Sequence, residues 1–289
     1  MRNLTDYYEF IKSSIRPLLP TSLYIRYEYY KYTGRVFSKN RIETFSDRIF
    51  SWKMDKKLSD YSVYVDKYKV RDFVNRKAGA DYLPKLIKVC KTTDDFDIAE
   101  MPVKFVIKLN NGCGFNLVVT DKSQYSNNEI RELMAHWLQS DFYSTSRERQ
   151  YKGVEQVVLC EEYIESKGDL KDYKFYCIDG VIEFVQVIGE RHNGATKHNY
   201  YSKDWKPLNI SREEYAVGEV APKPSKFEEA VELVELLSKD FSFVRVDLYI
   251  QDKVYFGELT FTPGNGYIKF LPVSYDKDLA SRMNLVIKA

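Results

Sequence analysis

A glycine-rich turn between two β-rich runs constrains the fold of this chain most. Residues 104–109, KFVIKL, are followed by the turn NNGCGFN and a second β-rich run, LVVT. This order is strand, loop, strand, whereas Walker and dinucleotide-binding motifs place a helix directly after their glycine loop. The sequence therefore predicts a hairpin with a glycine turn and excludes both of those motifs.

Helical patterns dominate the first part of the chain. Apolar residues recur there at helical spacing, and proline and glycine interrupt the pattern. Later segments carry an apolar stripe along one face, as surface helices do. The predicted helices cover residues 1 to about 60, with breaks at Pro17, Pro20 and Gly34, the second half of 62–76 up to Gly79, 127–138, and 226–240.

The other regular patterns are β-rich. Runs of β-branched and aromatic residues separated by turn residues are typical of hairpins. The predicted strands are 154–164, a hairpin over 171–191 turning at Asp179-Gly180, and a hairpin over 241–261 that ends at TPGNG. The chain order is a helical N-terminal region, a mixed α/β region and antiparallel strands with an acidic edge.

The composition is that of a folded protein without a bias toward nucleic acid or membrane. Charged residues make up 30% of the 289 residues while the formal net charge is only +2, so an anion site must be a local cluster. No apolar run reaches the roughly 18 to 20 residues of a membrane span, and the N-terminus lacks the apolar core of a signal peptide. We therefore expect a cytoplasmic protein with no transmembrane segment and no nucleic-acid partner.

The cysteines and histidines offer no zinc-site spacing, because no two cysteines form a CxxC pair and only three histidines are present. Cys90, Cys160 and Cys177 lie in apolar runs, which favours buried free thiols. Free thiols also fit a reducing compartment.

Lys108 and the glycine turn are the first candidates for chemistry. Gly112 and Gly114 let backbone N–H groups approach phosphate oxygens, and a lysine at the strand end adds charge. Cys113 has no paired histidine nearby in the sequence, so we expect it to contribute its backbone and not a nucleophile. An ordinary strand turn with a surface lysine is the alternative.

Two strand segments supply further candidates. The backbone of 160–164, CEEYI, could hydrogen-bond a purine, although an ordinary strand ending in solvated charges also fits. On the next strand Asp172 and Lys174 share one face, because side chains alternate along a strand. Lys174 can neutralise a transferring phosphoryl group, and Asp172 can bind a ribose hydroxyl. Arg191 lies at the far end of the hairpin. A cross-strand salt-bridge network is the alternative.

The most specific pattern is an acidic pair on the last hairpin. Asp247 and Glu258 lie on adjacent predicted strands in an apolar region, where buried charges need partners. Two close carboxylates repel each other unless a cation lies between them. Mg²⁺ is usually held by one or two carboxylates plus nucleotide phosphates. Arg245 points the same way as Asp247, so a simple arginine–aspartate ion pair is the alternative.

Together these elements resemble the ATP-grasp superfamily, where a lysine, glycine loop, E-E-x-I hinge, basic strand residue and D…E-x-N occur in this order. The chain is more closely similar to the TupA-like branch, named for teichuronopeptide synthesis. The matching stretches are TFSDRIFSWK (44–53), DKYKVRDFV (66–74), FVIKLNNGCGFNLVVTDKS (105–123), RERQYKG (147–153), CEEYIESKGDLKDYKFYCIDG (160–180), YYSKDW (200–205) and DFSFVRVDLYIQDKVYFGELTFTPGNG (240–266).

The resemblance implies an α+β ATP-grasp fold with a nucleotide cleft between two α/β lobes and a helical N-terminal region. The expected divisions are a helical N-terminal region (1–60), an N-terminal lobe or linker (61–103), a small lobe with the glycine loop and hinge (104–165), and a C-terminal lobe with the metal and acceptor site (166–289).

It also implies a role for each candidate residue, with ATP and Mg²⁺ as cofactors. The residues implied in nucleotide binding are Lys67 and Lys108 at the phosphates, Gly112, Cys113 and Gly114 in the phosphate lid, Glu161, Glu162, Tyr163 and Ile164 in the adenine hinge, and Asp172 at the ribose. The branch often has His and Ser in this loop, where this chain has Asn111 and Cys113. Backbone binding of phosphate tolerates both.

The residues implied in catalysis are Lys174, Arg191 and Arg245, and those implied in metal binding are Asp247, Glu258 and Thr260. Thr260 replaces the asparagine usual in the superfamily. Its hydroxyl reaches less far and is a weaker ligand, so a water could take one metal position.

The implied activity is a carboxylate–amine ligase that forms an acyl phosphate. The implied substrates are a hexuronic acid of a bacterial surface polysaccharide or its precursor, carried on a saccharide or nucleotide sugar, and an amino acid or amine. Peripheral association with polysaccharide machinery is a further expectation. The alternatives are a glycosyltransferase of the same biosynthesis and a nucleotide-binding module without turnover.

Overall fold

The computed structural model describes residues 19–166, 168–189 and 196–287. Its first helices confirm the predicted helical pattern from residue 19 onward, while residues 1–18 of the prediction, with the break at Pro17, lie outside the described residues. α1 (Thr21–Thr33) ends at Gly34, whose φ of 68° suits glycine. α2 (Phe45–Lys53) begins at Thr44, where reciprocal hydrogen bonds with Asp47 form a capping box.

A short helical segment leads from α2 toward the first sheet. A 3₁₀ turn at Lys56–Tyr61 precedes α3 (Ser62–Val65) and α4 (Val70–Ala78). α4 ends at Gly79, where φ is 95°, which confirms the predicted closing residue. Val70, Phe73 and Val74 bury one face of α4 in the larger hydrophobic core.

A four-stranded antiparallel sheet carries the glycine turn. Its strand order is β1-β4-β2-β3. The strands are β1 (Leu86–Cys90), β2 (Phe105–Leu109), β3 (Asn116–Val119) and β4 (Val158–Glu162). α5 (Asn127–Leu138) buries Ile130, Met134 and Trp137 in the separate core of this sheet, and the short α6 (Phe142–Ser146) follows it. β2 and β3 confirm the strand–turn–strand prediction.

A five-stranded antiparallel sheet with the order β10-β9-β5-β6-β7 organises the larger core. The strands are β5 (Asp172–Ile178), β6 (Val181–Gly189), β7 (Lys197–Tyr201), β9 (Phe243–Ile250) and β10 (Val254–Thr260). Asp179 and Gly180 both have positive φ in the β5–β6 turn, as predicted for a tight hairpin. The two sheets and their helices confirm the predicted α+β class.

α7 (Phe227–Ser238) covers the larger sheet, and the Phe227 ring stacks on Phe175 with centroids 6.0 Å apart. A two-stranded ribbon joins β8 (Ser211–Arg212) to β11 (Phe270–Leu271), and α8 (Val273–Arg282) follows. None of the described helices has the length and apolar character needed to cross a membrane.

The structure narrows two predicted elements and adds several that the sequence does not predict, among them β1, β7, α6 and α8. The predicted strand 154–164 is confined to Val158–Glu162, and the predicted helix 226–240 to Phe227–Ser238. β1 was not predicted, because five residues are too few to show a period and its formation depends on pairing with β4. β1 lies within residues 61–103, which the sequence predicts to be an N-terminal lobe or linker. The four domain divisions stay a prediction.

Candidate active site

A cavity of about 330 Å³ lies between the glycine turn and the five-stranded sheet. Most of the residues that the sequence singled out meet there. The predicted site residues that line it are Lys67, Lys108, Gly112, Cys113, Gly114, Asp172, Lys174, Asp247 and Glu258. Because these residues come from separate parts of the chain, the cavity is the candidate active site.

The glycine turn is held against the end of α3 by Lys67. The Lys67 amide donates to the Asn110 carbonyl at 2.7 Å, and Lys67 Nζ donates to the Gly112 carbonyl at 2.8 Å. Gly112 has a φ of 77°, and a Cβ there would lie 2.8 Å from the Phe142 ring. Glycine is therefore required at 112 by both conformation and space.

Lys108 reaches from β2 toward the buried carboxylate of Glu161. Lys108 Nζ donates to Glu161 Oε2 at 2.9 Å, and Arg71 Nη1 donates to Glu161 Oε1 at 2.9 Å. The Glu161 side chain is only 6% exposed, so both cations compensate a carboxylate that burial would otherwise destabilise. Arg71 was not predicted as a site residue, since its partner lies 90 positions away.

The residues predicted as an adenine hinge do not line the cavity. Glu161 is ion-paired, Glu162 accepts a hydrogen bond from the Lys85 amide at 2.8 Å, and Lys104 Nζ lies 5.4 Å from the Tyr163 ring centroid. Ile164 is buried. Their hinge role stays a prediction.

A β-bulge at Gly257 sets the geometry of the acidic edge. β9 and β10 pair Leu248 with Phe256, but the next pair is Asp247 with Glu258, so Gly257 is the extra residue. A Cβ on Gly257 would lie 2.9 Å from the Asp247 carbonyl oxygen. The bulge brings Asp247 and Glu258 to directly opposite positions at the cavity wall.

Arg245 compensates both carboxylates of this edge. Its Nε and Nη2 donate to Asp247 at 2.6 and 2.7 Å, and Nη2 also lies 3.4 Å from Glu258 Oε1 and 3.0 Å from Thr260 Oγ1. The arginine–aspartate ion pair left open by the sequence is therefore present. Asp247 beside Arg245 raises the pKa of the guanidinium against the opposing effect of burial. Neither Arg245 nor Thr260 lines the cavity.

Two lysines complete the charge balance at the edge. Lys174 Nζ donates to Asp247 Oδ2 and lies 3.6 Å from Asp172 Oδ2, while Lys67 Nζ lies 3.3 Å from Glu258 Oε2. Burial acts to raise the pKa of Glu258, but the charges of Lys67, Lys174 and Arg245 outweigh it and lower that pKa to about 2. Glu258 is thus held ionised, as a metal ligand must be.

The donor set fits Mg²⁺ only when a nucleotide supplies further oxygens. Asp247 and Glu258 both face the cavity, and no group of three or more histidine, cysteine or acidic side chains within the described ranges has metal-binding geometry. Two carboxylates completed by phosphate oxygens and water are an ordinary Mg²⁺ environment. The residues present therefore fit the metal that the resemblance implies.

The other predicted residues have distinct positions. Cys113 is exposed, while Cys90, Cys160 and Cys177 are buried free thiols as predicted. Desolvation and the charges of Glu148 and Glu258 raise the pKa of Cys113, which disfavours a reactive thiolate. Arg191 lies outside the described residues. Asn116 and Tyr249 also line the cavity but carried no sequence signal as candidates.

Comparison with solved structures finds ATP-grasp ligases with low sequence identity. A D-alanine–D-alanine ligase from Bacillus anthracis, complexed with ATP, is 17% identical over 76% of this chain, with a TM-score of 0.45. An L-amino acid ligase from Bacillus licheniformis is 15% identical over 78% of this chain, with a TM-score of 0.47. The chain spans 61% and 51% of the lengths of these two proteins.

No curated protein matches the sequence. A family model described as TupA-like ATPgrasp matches residues 48–284. That range includes the glycine turn, all three lysines of the cavity and the whole acidic edge. The chain therefore belongs to the TupA-like ATP-grasp family.

Proposed function

We propose that this protein is an ATP- and Mg²⁺-dependent carboxylate–amine ligase that forms an acyl phosphate and releases ADP. The observation that carries the proposal is the meeting of a glycine turn, three lysines and a paired acidic edge around one cavity. A glycine turn and lysines suit phosphate groups, and the acidic pair suits a metal bound to those phosphates.

The chemistry requires two anions to approach each other. A carboxylate oxygen attacks the γ-phosphorus of ATP, the bond to the β-phosphate oxygen breaks, and ADP leaves. An amine then attacks the acyl carbon, inorganic phosphate departs, and the amine nitrogen loses a proton to solvent. Positive charge must offset the repulsion in the first step, and preorganised charge is the largest contribution to such catalysis.

The positions of the described cations support this proposal. Lys67 and Lys108 flank the glycine turn and would hold the nucleotide phosphates together with the backbone of Gly112, Cys113 and Gly114. Lys174 lies at the opposite wall beside Asp172 and Asp247, where it would neutralise the transferred phosphoryl group. Asp247 and Glu258 would hold Mg²⁺, which when bound supplies positive charge to the phosphates.

Arg245 and the hinge residues have supporting roles in this proposal. Arg245 fixes Asp247 in place, and its charge would add to that of Lys174 at the phosphoryl group although Arg245 does not line the cavity. Thr260 supports Glu258 by donating to its Oε1 at 3.2 Å. The purine would lie against 161–164, and the ribose near Asp172. Arg191 is proposed as a third catalytic cation.

The family name supports a polysaccharide substrate. We infer that the carboxylate belongs to a hexuronic acid of a bacterial surface polysaccharide or its precursor, and that the amine is an amino acid or another amine. The proposed location is the cytoplasm, where ATP is available, with peripheral association with polysaccharide machinery. The divisions 1–60, 61–103, 104–165 and 166–289 are retained as the proposed domain boundaries.

Two measurements test the proposal. Mg-ATP at about 100 times its Kd should stabilise the protein by roughly 2.7 kcal/mol, and no thermal shift in a folded sample would contradict the nucleotide site. A screen that crosses uronic acids with amino acids should release ADP and phosphate only when both substrates are present. Release of UDP from a nucleotide sugar would instead identify a glycosyltransferase, and ATP binding without turnover would identify a binding module.

A further inference from the structure

The Glu161 carboxylate binds two cations, one through each of its oxygens. Arg71 Nη1 donates to Oε1 and Lys108 Nζ donates to Oε2, each at 2.9 Å. The side chains of Arg71, Lys108 and Glu161 are only 15%, 20% and 6% exposed, so solvent screens these ion pairs less than pairs at the surface. Because both oxygens are occupied, the two cations together fix the orientation of this carboxylate.

Of these three residues, only Lys108 lines the candidate active site. Glu161 on β4 pairs with Val106 on β2, and Lys108 lies two residues beyond Val106 on the same face of the sheet. Lys108 therefore contacts both Glu161 and the cavity. Arg71 contacts Glu161 and not the cavity, so its influence on a ligand there passes through these contacts.

Arg71 is itself held in place from two sides. Besides Glu161, it contacts the backbone before β1, where its Nη2 donates to the Pro84 carbonyl oxygen at 2.7 Å. Arg71 lies in the first turn of α4, a helix whose apolar face is buried in the larger hydrophobic core. This one guanidinium group therefore joins a helix of the larger core to the four-stranded sheet that carries Lys108.

Glu161 and the nucleotide phosphates would compete for the ammonium group of Lys108. A lysine ammonium has three N–H donors, so it can turn toward a phosphate when one arrives. If Lys108 were the only cation at Glu161, that movement would leave a buried carboxylate unpaired, which is strongly destabilising. Arg71 would remain bound to Oε1 during the movement, so that cost would not arise.

Arg71 also decides the net charge of this group of side chains. Two cationic side chains and one carboxylate leave a single positive charge beside the glycine turn. Without Arg71 the charges of Lys108 and Glu161 would cancel, whereas the phosphates of a nucleotide are strongly anionic. A positive wall in a partly buried cleft raises the affinity for such an anion.

We propose that Arg71 is a positioning residue for nucleotide binding: it neutralises Glu161 and so leaves the Lys108 ammonium available to the nucleotide phosphates. Arg71 itself touches no phosphate. Lys108 makes that contact, and Glu161 holds Lys108 at the cavity wall until the nucleotide arrives. This inference rests on the proposed function and adds to it a residue that lies outside the cavity.

The test is isothermal titration calorimetry of the full chain with a non-hydrolysable ATP analogue in the presence of Mg²⁺. Arg71→Met should raise the Kd at least about tenfold, which corresponds to about 1.4 kcal/mol, because Glu161 then retains Lys108. Adding Glu161→Gln to this variant removes the competing carboxylate and should return the Kd to within about threefold of wild type. Arg71→Lys keeps the cation beside Glu161 and should bind more tightly than Arg71→Met.

The matched control is Arg131→Met, which should bind the analogue like wild type. Arg131 also donates to a backbone carbonyl oxygen, that of Phe96 at 2.7 and 3.0 Å, but it lies outside the cavity. A weaker Kd for this variant, equal to that of Arg71→Met, would show a general effect of losing an anchoring arginine and would overturn the inference.

The outcomes separate this inference from the proposed function. If wild type binds no nucleotide, the proposed function itself fails. If wild type binds it and folded Arg71→Met binds it equally well, the positioning role is wrong while the ATP site stands. A folded double variant outside the threefold range also overturns the inference, because a purely structural role of Arg71 would not respond to the charge at position 161. The double variant buries no unpaired carboxylate, so the test remains decisive even if Arg71→Met does not fold.

Discussion

Glu258 lies directly opposite Asp247 because Gly257 forms a bulge between β9 and β10. If the strands kept the register of the Leu248–Phe256 pair without a bulge, Asp247 would pair with Gly257 and Glu258 would pair with buried Val246. A shift of one residue moves a side chain to the other face of a sheet. The bulge thus places the second carboxylate at the cavity instead of in the core.

Replacing Gly257 with alanine should damage both the fold and the acidic edge. The new Cβ would lie 2.9 Å from the Asp247 carbonyl oxygen, so one strand must move. We expect a loss of about 1–3 kcal/mol in the free energy of unfolding, typical of overpacking, together with a higher Mg²⁺ requirement. Urea unfolding and a magnesium titration of ADP formation measure both effects. Gly168→Ala is the control, because a Cβ there meets nothing within 4 Å. Wild-type behaviour of Gly257→Ala would mean that the bulge tolerates a side chain.

Glu258→Gln should reduce kcat by at least about a hundredfold, because a neutral amide is a poorer metal ligand and several kcal/mol of charge stabilisation would be lost. Nucleotide binding without metal should change less. The measurement is ADP formation at limiting and saturating Mg²⁺. Glu213→Gln removes an exposed carboxylate paired with Lys269 and should leave turnover unchanged. Normal turnover of Glu258→Gln at limiting Mg²⁺ would remove Glu258 from the metal site.

Stability should depend on Glu258 at acid pH. Because the folded-state pKa is lowered from 4.5 to about 2, ionised Glu258 stabilises the fold above about pH 4.5. This contribution is lost as the pH falls through the range from 4.5 to about 2. Chemical unfolding across that range should show a smaller loss of stability for Glu258→Gln than for wild type. Parallel pH profiles of the two proteins would show that the lysines and Arg245 do not stabilise the carboxylate.

Thr260→Asn should preserve activity or lower the Mg²⁺ requirement. Thr260 Oγ1 accepts from Arg245 at 3.0 Å and donates to Glu258 at 3.2 Å, and an amide group can make both kinds of hydrogen bond. The amide oxygen also reaches farther as a metal ligand. Thr260→Val, which removes both hydrogen bonds, should raise the requirement. A magnesium titration compares the three proteins, and inactivity of Thr260→Asn at saturating Mg²⁺ would contradict the metal role.

Cys113→Ser should keep most activity. Cys113 lies between two glycines with positive φ, its pKa is raised, and the glycine turn is proposed to use backbone N–H groups. A serine leaves those groups unchanged. Steady-state kinetics, together with a measurement of nucleotide affinity, tests this expectation. A loss of several orders of magnitude with intact nucleotide binding would instead indicate thioester chemistry.

The sequence by itself determined the elements that depend on neighbouring residues. Glycine positions and β-rich runs fixed the hairpin at β2–β3, the Asp179-Gly180 turn and the last hairpin. Helical spacing likewise located α4, α5 and α7 to within a few residues. Local backbone preferences and side-chain period decide such features, so they are visible in a short window of sequence.

Tertiary structure alone decided how those elements meet. β1 exists as a strand because β4 lies beside it, and Arg71 joins Lys108 only where folding brings both to Glu161. The Gly257 bulge shifts the strand register by one residue and so turns the Glu258 side chain to the cavity face of the sheet. Long-range burial and strand pairing set these relationships, and no local pattern encodes them.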